Sequence, residues 1–189
     1  MRKLILIAHT SLDGFVAGIN GELDGFEAGE ENLDFVADLT EGADTALFGR
    51  ISYEMLEGYW VTAKDLPGAS TATVKYSQWY SKAKKIVISK TLKSEKDRTV
   101  IISENIAEKL VQSKLEEGGN ILIFGSPAIA QLLVSCKLID EYWIFINPSI
   151  FGKGIPLFIS QQQTAIALKL IGTKQFPNGE LALHYIMKG

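Results

Sequence analysis

The amino-acid sequence predicts an α/β fold of three layers, α-β-α, built on a mainly parallel mixed sheet of about eight strands. Short apolar runs alternate with amphipathic segments from residue 4 to residue 146, which is typical of a parallel sheet covered by helices on both faces. The C-terminal part instead has two strand-like segments, 165–176 and 180–187, joined at Asn178-Gly179. This pair is a strong turn signal, so an antiparallel hairpin closes the predicted sheet. We expect residues 1–189 to form a single domain.

Three strands are expected before residue 90, because short, mostly apolar runs there have the character of buried strands. The first is followed by residues 9–29, which are rich in glycine. A glycine-rich loop of this length is more often functional than not. The predicted strands are 4–8, 46–48 and 85–88, and the predicted helices are 30–41, a short one after Arg50, and 71–82, with an irregular segment at 58–70.

Three more strands and two helices are expected before the hairpin. Residues 105–116 have an apolar stripe at helical spacing and are followed by Gly118-Gly119, which ends the helix. The next helix has Ser126 as its N-cap and Pro127 at its first position. The strands are residues 99–102, 121–124 and 139–146.

The composition excludes several classes of protein. The net charge of −3 and the absence of a basic stripe argue against a nucleic-acid partner. The single cysteine, Cys136, lies in an apolar helical segment, so we expect it to be buried in a protein of the reducing cytoplasm. No apolar segment is long enough to cross a membrane. His9 and His184 are far apart and no cysteine cluster exists, so no metal site is expected.

Ligands of open α/β sheets bind at the carboxyl ends of the strands, and one such end is suited to phosphate by its arginine. Gly49-Arg50-Ile51-Ser52 follows an apolar strand and combines a helix N-terminus with a guanidinium. The alternative is that Arg50 is a solvated residue in a first helical turn.

Two further strand ends carry similar signals. The strand that ends at Ile88 continues into Ser89-Lys90, which supplies a hydroxyl and an ammonium group. The strand that ends at Phe124 continues into Gly125-Ser126, where a glycine permits close approach and a helix offers free N–H groups. Three such ends favour a ligand with more than one phosphate, for which a dinucleotide is the natural candidate, although no GxGxxG or P-loop pattern is present.

Two carboxylates and one histidine are candidates for acid–base chemistry. Asp13 lies in the glycine-rich loop, and Asp34 lies in the first predicted helix. Burial in a closed pocket would raise the pKa of Asp34 and make it a proton donor, whereas the alternative is an acid favoured by the helix dipole. His9 follows the first strand and would either touch a ligand or serve the structure.

The motifs together resemble the dihydrofolate-reductase-like superfamily. They resemble more closely its branch that contains the C-terminal reductase domain of the bifunctional deaminase-reductase of riboflavin biosynthesis. The resemblance covers essentially the whole chain, and the order and spacing of the motifs carry it. These motifs are Ser11-Leu12-Asp13-Gly14, Gly49-Arg50-x-Ser52-Tyr53-Glu54, Ile86–Ser89, Ile121–Ser126, Leu138–Tyr142, Pro148-x-x-Phe151-Gly152-x-Gly154, Pro156-Leu157-Phe158 and the closing hairpin.

The resemblance implies NADPH as cofactor and assigns residues to its parts. Arg50 and Ser52 would hold the region of the 2′-phosphate, with Gly49 allowing close approach. Ser89 and Lys90, beyond Ile88, would flank the adenine ribose, and Gly125 and Ser126, beyond Phe124, would take the pyrophosphate. Backbone groups of Ala8, Val16 and Ala17 would meet the nicotinamide, and the loop from Asp13 to Gly25 would cover the reacting ring.

The function implied is an NADPH-dependent reductase that transfers a hydride to a small substrate, pterin-like or pyrimidine-like in shape. One alternative is a nucleotide-binding sensor that keeps the NADPH site without efficient catalysis. Another is the riboflavin-pathway reductase of 5-amino-6-(5-phosphoribosylamino)uracil. Tyr59 and Trp60 would either wall the substrate pocket or belong to the core. The apolar segment Ile144–Phe158 and the resemblance favour a homodimer.

Overall fold

A computed structural model of the chain describes residues 1–27, 29–93, 96–159 and 165–188, so that residue 28 of the predicted glycine-rich loop lies outside it. Its centre is an eight-stranded sheet in the order β5-β4-β3-β6-β1-β7-β10-β9. The strands are β1 (Leu4–Thr10), β3 (Ala43–Gly49), β4 (Lys84–Ile88), β5 (Thr99–Ile102), β6 (Asn120–Phe124), β7 (Glu141–Ile146), β9 (Leu168–Gln175) and β10 (Leu181–Met187), while β2 (Phe15–Ala17) and β8 (Ile155–Pro156) form a separate pair.

The pairing of the strands confirms the predicted mixed sheet. The six strands from β5 to β7 run parallel, whereas β10 is antiparallel to β7 and β9 is antiparallel to β10. The hairpin turns at Gly179, whose φ of 87° is the left-handed conformation that glycine adopts at little cost. The antiparallel addition ends an otherwise parallel sheet, as expected.

In the described part of the chain, five helices cover the two faces of the sheet, which completes the three layers. They are α1 (Glu30–Leu39), α2 (Arg50–Trp60), α3 (Thr71–Lys82), α4 (Ile106–Leu115) and α5 (Pro127–Ser135). On one face α1, α2 and α3 contribute Val36, Tyr53 and Tyr76 to a core under Ile5 and Ile7 of β1. On the other face α4 and α5 pack on Leu4, Leu6 and Ala8 of the same strand. The alternation of β1 side chains between the two cores is the normal period of a strand.

Three local predictions are wrong. The segment 58–70 is not wholly irregular, because α2 continues to Trp60 and a 3-10 turn follows at Ala63–Asp65. Cys136 is exposed, because it lies one residue beyond α5, where the helix has already left the core. The glycine-rich segment contains strand β2, which pairs with β8.

Among the helices of the described residues, none combines the length and the apolar character needed to cross a bilayer.

Candidate active site

The carboxyl ends of the parallel strands form one continuous edge of the sheet, here called the C-terminal edge. In spatial order its strands end at Ile88 of β4, Gly49 of β3, Phe124 of β6, Thr10 of β1 and Ile146 of β7. The antiparallel strand β10 begins at the same edge, since its Leu181 pairs with Ile146. The three predicted phosphate-binding ends therefore belong to adjacent strands, and the end of β1 lies directly beside them.

The turns after β3 and β6 are in contact. A Cβ added to Gly49 would collide with the hydroxyl of Ser126 and crowd Ile129 of α5. Gly125 and Ser126 both have positive φ, 53° in each case, so the chain leaves β6 in two successive left-handed steps. The nearest side-chain atom to a Cβ at Gly125 would be the Ser52 hydroxyl, 4.0 Å away. One small region of backbone without large side chains thus lies between the two turns. The residues around it are Gly49, Ser52, Gly125 and Ser126.

The helices that follow these turns point uncapped N-termini at that region. Gly49 and Ser126 occupy the N-cap positions of α2 and α5, and neither provides a side-chain hydrogen bond to the helix. The predicted N-cap position of Ser126 and the placement of Pro127 at the start of α5 are confirmed, although the serine hydroxyl does not cap. Free N–H groups and the positive end of the helix dipole favour an anion at such a place.

Arg50 is the first residue of α2, and its guanidinium lies at the C-terminal edge. Its Nη1 atom donates to Oε2 of Glu54 at 2.9 Å, and both side chains are about half exposed. Exposed pairs at this helical spacing contribute only about 0.3–0.5 kcal/mol. The guanidinium can therefore exchange Glu54 for a phosphate without a large loss.

The turn after β4 is built around Ser89. Its hydroxyl accepts hydrogen bonds from the backbone N–H groups of Thr91 and Leu92, at 3.2 and 2.9 Å. Lys90 is exposed beside it. The two predicted residues lie next to Gly49, because Ile88 is its register partner across β3 and β4.

On the other side of β6, the end of β1 meets the glycine-rich loop. The backbone N–H of Gly125 donates to the carbonyl of Ile7 at 3.2 Å, which ties the β6 turn to β1 next to Ala8. Val16 packs on the core that contains Ala8, and Ala17 is buried. Strand β2 therefore brings Val16 and Ala17 to the same corner as Ala8, as the resemblance implies.

Asp13 fixes the loop that carries β2 to the segment after β7. Its carboxylate accepts hydrogen bonds from the Ser11 hydroxyl at 2.6 Å and from the backbone N–H groups of Phe151 and Gly152 at 3.1 and 2.8 Å. The bond from Ser11, with those from the two amides, lowers the pKa of Asp13. With its oxygens occupied by these three donors, Asp13 fixes the loop to the segment after β7, which does not support the predicted catalytic role.

Asp34 is not buried in a closed pocket, although its predicted role as a proton donor requires such burial. Its side chain is exposed on α1, whereas Asn32, two residues earlier, is buried. The helix turns Asp34 toward solvent because positions two residues apart point in widely different directions. The interpretation of Asp34 as a desolvated proton donor is therefore not supported.

The buried carboxylate of this region belongs instead to Glu180, which the sequence analysis did not identify. It lies just before β10, and its side chain is only 1% exposed. Its Oε1 atom is 2.8 Å from His9 Nδ1 and 3.0 Å from Asn147 Nδ2, and Asn32 Nδ2 donates to Oε2. Buried carboxylates are costly unless paired and hydrogen-bonded, and this one has three partners.

The two aromatic residues at the end of α2 divide between surface and core. Tyr59 is half exposed, while Trp60 packs against the buried Tyr76 with ring centroids 4.4 Å apart. Trp60 thus belongs to the core, and Tyr59 remains available to a ligand.

Among the described residues, no group of three His, Cys, Asp or Glu side chains could hold a metal ion.

Comparisons with known proteins agree with this arrangement. The sequence model of the RibD C-terminal domain family matches residues 2–182. The chain is 31% identical over 188 residues to the uncharacterized protein YyaP of Bacillus subtilis, covering 100% of this chain and 96% of that one.

Two solved structures show the same fold. A putative riboflavin biosynthesis protein from Shewanella sp. PV-4 has a TM-score of 0.75 at 22% identity, with full coverage of both chains. Dihydrofolate reductase from Enterococcus faecalis, in complex with NADP(H) and an inhibitor, has a TM-score of 0.67 at 13% identity, covering 99% of this chain and 97% of that one.

Proposed function

Because the chain belongs to the RibD C-terminal domain family, we propose that it is an NADPH-dependent reductase of a small, flat substrate. The fold is that of the dihydrofolate-reductase-like superfamily, and one of the compared structures is a dihydrofolate reductase bound to NADP(H).

One observation carries the proposal: three turns suited to phosphate follow adjacent strands at one edge of the sheet. Gly49 lets the β6 turn pack closely against β3, Gly125 is half-buried with no side chain, and the N-termini of α2 and α5 have no side-chain cap. A pyrophosphate would be held there by N–H groups of α5 and the Ser126 hydroxyl. A dinucleotide is long enough to continue from this point toward both ends of the edge.

Arg50 gives the proposed site its preference between cofactors. A guanidinium beside a helix N-terminus suits a phosphate monoester, such as the 2′-phosphate that distinguishes NADPH from NADH. Ser52, near Gly125, and Lys90, beyond β4, would complete this end. The opposite end would reach Ala8, Val16 and Ala17, where backbone groups orient the nicotinamide.

Bound NADPH would supply the hydride, and the protein would supply binding, orientation and exclusion of water. The β2–β8 pair and the Asp13 contacts hold the loop over the end of β1.

The test is a calorimetric titration of the purified protein with NADPH and with NADH. We expect saturable binding of NADPH and weaker binding of NADH. Negligible binding of both cofactors would contradict the proposal, and equal tight binding would leave a reductase without the proposed role of Arg50.

A homodimer is also proposed, since the segment after β7 leaves Ile150 and Phe158 exposed. Light scattering at micromolar concentration should give twice the mass of one 20.8 kDa chain. A mass of one chain would contradict the dimer.

A further inference from the structure

The carboxylate of Glu180 and the imidazole of His9 form a pair at the C-terminal edge, here called the His9–Glu180 dyad. The ring lies flat on Phe145, with centroids 4.5 Å apart and an interplanar angle of 19°. Its Nδ1 atom is 2.8 Å from the buried carboxylate. Among the described residues, no hydrogen-bond partner is found at its Nε2 atom, and 37% of the side chain is exposed.

Three constraints fix the orientation of this imidazole. Stacking on Phe145 sets the plane of the ring, and the contact with the carboxylate favours the tautomer with its proton on Nδ1. The carboxylate is itself held by the amides of Asn147, the residue after β7, and of Asn32 in α1. The Nδ1 atom of His9 is held by Glu180, and its Nε2 atom is left to face the C-terminal edge. The imidazole is therefore oriented to present Nε2 to a ligand.

The position of the dyad connects it to the proposed cofactor site. His9 directly follows Ala8 on β1, and Ala8 adjoins the turn of β6 through the bond from Gly125 to Ile7. Successive residues of a strand point to opposite faces, so His9 faces the layer of α1 while Ala8 faces that of α5. The space between α1 and the end of β1 is therefore bounded by an imidazole.

We propose that His9 is the catalytic acid of this reductase and that Glu180, Asn147 and Asn32 are its positioning residues. The proposal rests on the proposed NADPH-dependent function. It places the substrate against Nε2 of His9, on the α1 side of the end of β1. The predicted acids are replaced in this role, since Asp13 is occupied by the loop and Asp34 is exposed.

The dyad also limits the class of substrate. Reduction of a carbon–nitrogen or carbon–oxygen double bond adds a hydride to carbon and a proton to the heteroatom. NADPH provides the two electrons with the hydride, and the imidazolium provides the proton from Nε2, which water then replaces through the exposed part of the ring. An acid aimed in this way serves an imine or a carbonyl compound, so we expect a small flat imine or carbonyl substrate.

A second pair of the same composition provides the matched control. His184 of β10 is bonded through Nε2 to Glu141 at 2.9 Å and is stacked on Trp143 with centroids 4.0 Å apart. It pairs in register with Trp143, three positions from the edge where Leu181 meets Ile146. His184 therefore has the same kind of partners as His9, but it lies away from the proposed site.

The first test follows the two imidazoles by nitrogen NMR of histidine-labelled protein, with signals assigned from His9→Asn and His184→Asn variants. We expect saturation with NADP⁺ and then dihydrofolate, a cyclic imine, to shift the His9 Nε2 signal and leave that of His184 unchanged. Glu180→Gln should remove the preference for the Nδ1 proton in His9. An unchanged His9 signal in protein that binds NADP⁺ by calorimetry would overturn the proposal.

The second test measures single-turnover oxidation of bound NADPH by dihydrofolate and by 5-amino-6-(5-phosphoribosylamino)uracil. His9→Asn keeps an amide donor for Glu180 but removes Nε2. It should lower the rate at saturating acceptor at least about 100-fold, the lower range for loss of a general acid. His9→Gln, which restores a hydrogen-bond donor but no acid, should recover acceptor affinity without the rate, and His184→Asn should keep the rate within about twofold.

Failure of the two proposals can be told apart. A His9→Asn rate within about threefold of wild type, with NADPH affinity retained, would overturn the acid role and leave the reductase intact. Absence of NADPH binding to the wild type would overturn both proposals. Where neither acceptor is reduced, the imidazole spectra decide the placement of His9 by the criterion given for them.

Discussion

The C-terminal edge has two sides that differ in how they use backbone and charge. The proposed phosphate side, comprising 49–52, 88–90 and 124–126, combines glycine turns, helix N-termini without side-chain caps and the exposed cationic side chains of Arg50 and Lys90. The imidazole side, comprising His9, Asn147 and Glu180, holds a buried carboxylate inside a set of side-chain hydrogen bonds.

In the proposed active site, this difference would separate cofactor binding from chemistry along one edge of the sheet. Backbone N–H groups cannot titrate, so they suit a permanent anion such as pyrophosphate. An imidazole with one nitrogen bonded to a carboxylate can transfer a proton through its other nitrogen. Strands β6 and β1 are neighbours, and the backbone bond from Gly125 to Ile7 joins the two sides. Variants on each side should therefore affect different measurements.

The largest effect on binding is expected from Gly49→Val on the phosphate side. The added side chain would displace Ser126 and crowd Ile129, lowering the free energy of unfolding by about 1–3 kcal/mol. NADPH titration should show at least about 100-fold weaker binding, equivalent to about 2.7 kcal/mol.

Gly58→Ala is the control for that change, because nothing lies within 4 Å of a Cβ at Gly58 in the same helix. It should raise the free energy of unfolding by up to about 1 kcal/mol and leave NADPH binding unchanged. Unchanged NADPH affinity in a folded Gly49→Val protein would contradict the proposed phosphate site formed by the turns at Gly49 and Ser126.

Arg50→Ala should have the next largest effect. It should weaken the binding of NADPH, which carries the 2′-phosphate, and not that of NADH. Loss of a hydrogen bond between charged groups costs about 1.5–3 kcal/mol, so NADPH should bind about 10–100-fold more weakly while NADH is unaffected. Arg98, just before β5 at the opposite edge of the sheet, offers the comparison variant Arg98→Ala. Equal losses for both cofactors would show that Arg50 does not distinguish them.

Glu54→Gln should produce a smaller change in the opposite direction. The carboxylate of Glu54 pairs with Arg50 at 2.9 Å and would compete with a phosphate for the guanidinium. Because such a pair contributes about 0.3–0.5 kcal/mol, its removal should strengthen NADPH binding about twofold. Calorimetry would detect this, and weaker NADPH binding would mean that Glu54 positions Arg50 for the cofactor.

The smallest effect is expected from losing the hydrogen bonds of Asp13, which hold the glycine-rich loop over the imidazole side. The folded pKa of Asp13 is lowered by the Ser11 bond and the two amides, so its stabilising contribution is present above the unfolded pKa of about 3.9. It is lost as the pH falls through the lower, folded pKa. Protection of the Phe151 and Gly152 amides against hydrogen exchange should decrease over that range, and Asp13→Asn should reduce the protection already at pH 7.

The phosphate side was predictable from sequence because its signals are local. Glycine, arginine and serine at the end of an apolar run, as in 49–52, define a strand-to-helix turn without reference to the rest of the chain. The parallel part of the sheet likewise follows from the alternation of strands and helices, and the hairpin from Asn178-Gly179, whereas the order of the strands is known only from the structure. The structure confirms the fold and places the three predicted turns side by side.

The imidazole side was not predictable in the same way. His9 and Glu180 are 171 positions apart, and neither lies in a motif that indicates its partner. Only the addition of β10 beside β7, antiparallel and at one register, brings Glu180 to the end of β1. Asp34 was a reasonable candidate for the acid, but helix periodicity alone does not say which of Asn32 and Asp34 faces inward.

The most direct test of the account is a nuclear Overhauser measurement on the complex with NADPH. It asks whether the nicotinamide end lies on the imidazole side when the phosphates occupy the other. We predict contacts from the nicotinamide ring protons to the His9 ring and to Ala8, and none to His184. A complex that forms but shows no nicotinamide contact with His9 or Ala8 would contradict the joining of the two sides in one active site.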